Sequence, residues 1–346
     1  MGGTAARLLA FALFLVIPLR GWAAPPTPAS QAFEAGVVAD DAGDFKTARA
    51  QYLAALKADP DHGRALINLG IIEIREHAPD RGKERCLRAI ALDARAAKAH
   101  YCIGLAEIAK GKLDPAAESF IKAIELHAAD PSAKLELAHV RRQQKRHEEA
   151  IELYRAAVRS LPDAPDLHVH LGYCYKALGQ WDAAEVEYRK SIQKDPTSFF
   201  GHLNLGVVLV RQKKWDEAEG HYQRAAELDP AAAHPHFNLG NLTARRGRFE
   251  EARAHYAKAV ELAPNDPEMR LAHARTLWRL GQRDAAQQEL AQAKGLNPTG
   301  DVAAAIDVLE GQLRSQPSAP KPVVIKPQPP PEAPKKPGSA PRTPTP

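Results

Sequence analysis

Apolar residues recur along this chain at steps of three and four, the spacing that lines one face of a helix. From Ala233 to Asp266 two such stretches stand back to back, parted by Gly247. Leu239 and Gly240 lie in the first, Ala252, Tyr256 and Ala259 in the second, and Pro264 ends it. The arrangement returns every 34 residues, and eight frames fit without a gap: 29–62, 63–96, 97–130, 131–164, 165–198, 199–232, 233–266 and 267–300. Each frame predicts a pair of helices, and no strand-like alternation competes with them.

Within the frames, size is fixed by position. The eighth place is always small: Gly36, Gly70, Gly104, Ala138, Gly172, Gly206, Gly240 and Ala274. The twentieth and twenty-seventh are small as well, from Ala48 and Ala55 to Ala286 and Ala293. The twenty-fourth is mostly a ring: Tyr52, Phe120, Tyr154, Tyr188, Tyr222 and Tyr256, with Cys86 and Leu290 as exceptions. A ring opposite a glycine is a knob facing a hole. Gly43, Gly111, Gly179, Gly247 and Gly281 offer a left-handed exit from the first helix. Three places later an acid (Asp80, Asp114, Glu148, Asp182, Asp216, Glu250 or Asp284) suits the amide-rich start of the second helix. Pro60, Pro162, Pro196, Pro230, Pro264 and Pro298 stop that helix.

These small, ring and proline places resemble the tetratricopeptide repeat family. The resemblance implies an all-α fold, a right-handed superhelical solenoid of eight helix-turn-helix repeats. Repeat two departs most, with His77-Ala78-Pro79 for the glycine turn and Cys86 for the ring. Repeat four has Ala138 and Lys145 in place of glycines, and local looseness is expected at both repeats.

In this family the first helices line a concave face that grips protein segments. Carried over place by place, the resemblance implies a partner-binding groove made of Arg64, Ile67, Ile71, Arg75, Lys98, Tyr101 and Leu105 in repeats two and three. Phe200, Leu203, Val207 and Arg211 continue it in repeat six, Phe237, Asn241 and Arg245 in repeat seven, and Arg275 and Arg279 in repeat eight. Ile74, Ile108, Val210 and Trp278 belong to the same apolar floor. An arginine border on such a floor suits a peptide with apolar anchors and some acidic residues. The family's clamp for a C-terminal carboxylate is not matched: Asn68, Asn204 and Asn238 fill sixth places, but no preceding repeat supplies its lysine and asparagine.

The flanks are of other kinds. Residues 1–23 read as a signal peptide, with Arg7 ahead of the apolar run Leu8–Ile17 and small residues at Gly21-Trp22-Ala23. Export, most simply to a periplasm, is therefore expected. Residues 24–28 are a linker. Residues 301–316 predict one more amphipathic helix, with Val302, Ile306, Leu309 and Leu313 on one stripe, which would cap the stack. Residues 317–346 are proline-rich and basic and are expected to be disordered, a spacer or a docking segment.

Composition narrows the function. The net charge of +5 comes mostly from the flanks: Arg7 and Arg20 stand without an acid, and the tail sets four lysines and Arg342 against Glu332. The repeats are close to neutral, so basicity is no argument for nucleic acid. Cys86 and Cys174 read as buried small hydrophobes, and a Cys86–Cys102 bridge between adjoining repeats is the lesser alternative. No phosphate loop, nucleophile elbow, HExxH or CxxC occurs, so neither an enzyme nor a cofactor is expected. His100, His168, His202 and His236 share the fourth place of their repeats, one ridge by register. A ridge that packs between helices is favoured there over one that binds metal, and no metal ligand is assigned. The reading is an exported, non-catalytic scaffold that holds a protein partner during assembly of a cell-envelope complex. Its rivals are a cytosolic co-chaperone-like adaptor and a glycan- or metal-binding envelope protein.

Overall fold

The structure is a computed structural model that describes residues 26–315. The leader and the proline-rich tail lie outside those residues. Among the described residues seventeen helices follow one another and no strand occurs. They form an all-α solenoid of eight helix-turn-helix pairs closed by one unpaired helix. Every second helix begins at the seventeenth place of its frame. The chain divides into two compact units between Gln144 and Lys145.

The first unit holds α1 (Pro28–Asp41), α2 (Phe45–Ala58), α3 (Gly63–Arg75), α4 (Pro79–Leu92), α5 (Ala97–Ala109), α6 (Leu113–Leu126) and α7 (Pro131–Gln143). Each helix packs on the next in sequence. Phe33, Tyr52, Leu69 and Ile72 fill one stretch of core, and Leu66, Cys86, Cys102 and Ile103 the adjoining one.

The second unit holds α8 (His147–Ser160), α9 (Pro165–Ala177), α10 (Trp181–Lys194), α11 (Phe199–Arg211), α12 (Trp215–Leu228), α13 (Ala233–Arg245), α14 (Phe249–Leu262), α15 (Pro267–Arg279), α16 (Arg283–Gly295) and α17 (Gly300–Ser315). Ile306, Leu309 and Leu313 of α17 are buried against Leu271, Leu277, Trp278 and Leu290. The last helix thus covers an apolar end that the eighth pair would otherwise expose.

The knob-and-hole expectation holds wherever a glycine faces a ring. A methyl group added to Gly36 would sit 2.6 Å from Tyr52, and one on Gly104 2.5 Å from Phe120. The distances at Gly172, Gly206 and Gly240 against Tyr188, Tyr222 and Tyr256 are 2.6, 2.5 and 2.7 Å. No side chain fits there, so the glycine sets how closely the two helices approach.

Repeat two departs from this lock, and here the preferred sequence reading is corrected. Cys86 and Cys102 are buried, but they form a disulfide that joins α4 to α5. A second helix packs on the next first helix, and that contact places the twenty-fourth residue against the sixth of the following repeat. The sulfurs occupy the missing ring's volume: a methyl group on Gly70 would lie 2.8 Å from the Cys86 sulfur and 2.9 Å from the Gly82 carbonyl. Cys174 remains a buried thiol in α9.

The turns show a second difference. All five expected glycines have positive φ, and so do His77, Lys145 and Lys213 at the same fifteenth place, with φ near 61–62°. The left-handed step survives without glycine, at a cost of roughly 1–2 kcal/mol per residue. The acids three places on make none of the side-chain capping bonds foreseen for them. They lie in the first turn of the second helix, and four reach the fourteenth place of the next repeat. Asp80 pairs with Lys110 and Asp114 accepts from Gln144, while Asp182 accepts from Gln212 and Asp216 pairs with Arg246. These acids tie repeat to repeat, and the dipole term remains.

Candidate peptide-binding surfaces

In the first unit the implied site residues lie on α3 and α5. Arg64, Arg75 and Lys98 are exposed, and Ile71, Tyr101 and Leu105 are half-buried. Ile67 and Ile74 are 6% and 9% exposed and belong to the core between α3, α4 and α5, so neither presents a surface. The cations are already engaged. The Arg64 guanidinium lies 4.5 Å over the Phe33 ring and that of Arg75 4.8 Å over Phe45. Lys98 Nζ donates to Asn68 Oδ1 at 2.9 Å, and Asn68 Nδ2 donates to the Tyr52 hydroxyl at 3.0 Å. Burial pushes that hydroxyl up to about 12, so it stays neutral near pH 7.

In the second unit they lie on α11, α13 and α15. Phe200 is 61% exposed, an unusual degree for a large ring. Leu203, Val207, Phe237 and Asn241 are half-buried around the same helical face. Asn241 is fixed by the Tyr256 hydroxyl, which donates to its Oδ1 at 2.7 Å. Trp278 is corrected: it is 6% exposed and packs with α17, so it belongs to the core and not to the floor.

Arg211, Arg245 and Arg279 occupy the thirteenth place of three consecutive repeats, and with Arg275 they are exposed. Arg211 lies 5.0 Å from the Trp181 ring. Among the described residues none of the four has a carboxylate within ion-pair distance. The second helices of this unit differ. Arg189 is paired with Glu185 and Glu217, Arg224 with Glu227, Arg248 with Glu219 and Glu251, and Arg253 with Glu250. Those four arginines of α11, α13 and α15 are left open, although Arg270 of α15 is paired with Glu289. This contrast is absent from composition, because it depends on which acids each arginine can reach.

Three of the four fourth-place histidines, His168, His202 and His236, pair within their own repeats against the twenty-third place. His168 Nδ1 meets Glu187 at 2.7 Å, His202 Nδ1 meets His221 Nδ1 at 2.9 Å, and the His236 ring stacks on His255. In repeat eight the same two places hold Arg270 and Glu289, 2.8 Å apart. The pairs clamp first helix to second. Burial lowers the basicity of His202, His221, His236 and His255. Among the described residues no three His, Cys, Asp or Glu side chains converge as a metal cage, and no helix is long and apolar enough to cross a membrane.

Residues 124–320 match the family described as the cilia and flagella-associated protein 70 C-terminal domain, and residues 33–81 match the tetratricopeptide repeat. No curated protein sequence matches the chain. Among solved structures, the APC/C hetero-tetramer Cut9–Hcn1 aligns over 76% of this chain and 52% of its own, at 18% identity and a TM-score of 0.55, a likeness of fold alone. YrrB, a TPR protein with an unusual peptide-binding site, aligns over 53% of this chain and 95% of its own, at 19% identity and a TM-score of 0.48. A thermophilic TPR protein of Thermus thermophilus, TTC0263, aligns over 53% and 99%, at 26% identity and a TM-score of 0.43. The architecture is that of a tetratricopeptide repeat scaffold. The chain belongs to the family of the cilia and flagella-associated protein 70 C-terminal domain, and through it to the tetratricopeptide repeat proteins.

Proposed function

We propose that this protein is an exported scaffold of the cell envelope whose second unit grips an extended, acidic segment of a protein partner. The observation that carries the reading is the open charge on α11, α13 and α15: four exposed arginines without carboxylate partners, beside the exposed Phe200 and half-buried Leu203, Val207 and Phe237. An extended chain with Asp or Glu between apolar anchors matches both features. The pre-formed face loses little entropy on binding, so the partner bears most of the ordering cost.

Export is supported by two independent features. The leader-like residues 1–23 are one. The other is the Cys86–Cys102 disulfide, a bond that persists in oxidising compartments and is rare in the cytosol. Fractionation and sequencing of the mature amino terminus test this, and a cytosolic chain that retains Met1 would overturn it.

The binding reading is tested with a peptide library that varies apolar anchors and Asp/Glu content, read by fluorescence anisotropy. Arg211→Glu with Arg245→Glu is expected to weaken the best acidic binders at least about tenfold without loss of helicity, an effect of ~1.4 kcal/mol. Rising salt should weaken them too. Equal affinity of the reversed variant, or preference for basic peptides, would count against the surface.

A further inference from the structure

The outer face of the first unit carries a feature that partner binding on the first helices does not use. Leu53, Leu87 and Ile121 are 43%, 49% and 37% exposed. All three stand at the twenty-fifth place of their repeats, on α2, α4 and α6, so they form one aliphatic stripe across three consecutive second helices. In the second unit the same place holds Arg155, Arg189, Gln223, Ala257 and Ala291, which is ordinary solvated surface. Three large aliphatic side chains in register on the water side need a cover.

The charges beside the stripe say what the cover is. Helix α2 carries Lys46, Arg49 and Lys57 and no acid. Helix α6 carries Asp114, Glu118 and Glu125 against Lys122 alone. Helix α4, between them, carries both signs. The face is therefore positive on one side, mixed in the middle and negative on the other. A two-fold rotation about the middle helix lays the positive side on the negative side twice over. That is the self-complementary pattern of an isologous contact.

We propose that this face takes a second copy of the chain, with α4 packed on α4 across a two-fold axis. Leu87 then meets its own counterpart, and Leu53 meets Ile121 of the second copy. An axis that runs along α4 leaves helix direction unchanged, so the facing helices run parallel and residues at the same place meet. Lys57 accordingly faces Glu125, both at the twenty-ninth place, and Arg49 lies beside Glu118, at the twenty-first and twenty-second places. Lys57 and Glu125 are exposed; among the described residues Lys57 has no ion-pair partner within its own chain, and Glu125 pairs only with the exposed Lys122 three places before it.

Sedimentation equilibrium of the full chain, from low to several hundred micromolar, tests this at moderate salt. The wild type is expected to move from monomer mass to dimer mass, and Leu87→Asp to remain a monomer at every concentration. Circular dichroism of that variant shows whether its helices persist; the position is exposed, so they should. The charge exchange does not depend on that variant. Lys57→Glu should weaken association at least about tenfold, and Lys57→Glu with Glu125→Lys should restore it. A wild type that stays monomeric throughout overturns the proposal. So does a Lys57→Glu variant that associates as well as wild type, or a double exchange that fails to recover. A monomer that instead floats with anionic lipid vesicles through Lys46, Arg49 and Lys57 also overturns it, in favour of a membrane surface. The arginines of the second unit take no part, so failure here leaves the peptide-binding reading untouched.

Discussion

Repeats two and six face the same packing problem and solve it with different parts. In repeat six Gly206 lets the Tyr222 ring sit against the backbone of α11, and shape alone holds the pair. In repeat two no ring is present. Gly70 and Gly82 bring two backbones together so closely that a methyl group on Gly82 would lie 2.5 Å from the Gly70 carbonyl. Two sulfurs fill what remains, and a covalent bond ties the repeat to its successor. A ring lock is local to one helix pair, whereas the disulfide crosses from one repeat to the next. The first unit is thereby made dependent on oxidation, and the second is not.

The largest expected effect comes from filling the hole in repeat six. In Gly206→Leu even the first added carbon would meet the Tyr222 ring at 2.5 Å, in a site closed on all sides. Ring and helix must move apart, and the cost should reach or pass the ~3 kcal/mol upper end of ordinary overpacking. Urea unfolding of the variant measures it. A midpoint equal to that of wild type would show that α11 and α12 are not in the register described.

Next in size is the staple of repeat two. Its closed loop of sixteen residues corresponds to about 3 kcal/mol of denatured-state entropy. Reduction, or Cys86→Ser with Cys102→Ser, should therefore lower the first unit's stability by about that amount and leave the second unit's midpoint unchanged. Hydrogen exchange of α3 to α6 against α11 to α14 separates the two. Equal loss in both units, or none in the first, would contradict the comparison.

Much of this contrast could be read from the chain, and the part that could not has a physical cause. Helix positions follow from a 34-residue period because every place repeats with its neighbours, so an error in one frame is corrected by seven others. The ring-and-glycine lock was legible for the same reason. The disulfide was not, because whether place twenty-four meets place six of the next repeat depends on the packing of α4 on α5, which no spacing encodes. The histidine clamps were half legible: the fourth place was visible as a ridge, but its partner at place twenty-three appears only once first and second helices are set side by side. Ile67, Ile74 and Trp278 were placed on the groove by family register. Burial assigns them to the core, because α4 and α17 cover positions that the register alone leaves open. Lys213 at a left-handed position carried no composition signal at all.

A smaller effect is expected at the hydroxyl of a locked ring. Tyr256 donates to Asn241, and in the first unit Phe120 fills the same place with no hydroxyl. The ring, not the hydroxyl, is the structural element. Tyr256→Phe should cost about 1 kcal/mol, the worth of one partly exposed hydrogen bond. A loss of several kcal/mol in a melting experiment would mean that the polar contact, and not the knob, holds the repeat.

The smallest effect should come from mild acid, and it sharpens the contrast from the other side. His202, His221, His236 and His255 all belong to the second unit, and burial lowers each of them below 6.5. Nδ1 of His202 and of His221 lie 2.9 Å apart, so one ring must accept while the other donates, and the pair cannot bind two further protons without breaking that contact. A histidine that stays neutral in the fold but takes up a proton when unfolded stabilises the fold fully above the unfolded value. The stability is lost as pH falls from about 6.5 through the lowered folded values. Going from pH 7 to 6 crosses only the upper edge of that window, so the midpoint should fall by about a degree or two. Trp181, Trp215 and Trp278 lie in the second unit, and in a Trp22→Phe chain their fluorescence reports it alone. In the first unit His100 is the counterpart, lowered by burial but with no histidine facing it. A tryptophan-reported midpoint that rises on acidification would require the histidine clamps to be charged in the fold, and the pairing described for repeats six and seven would then be wrong.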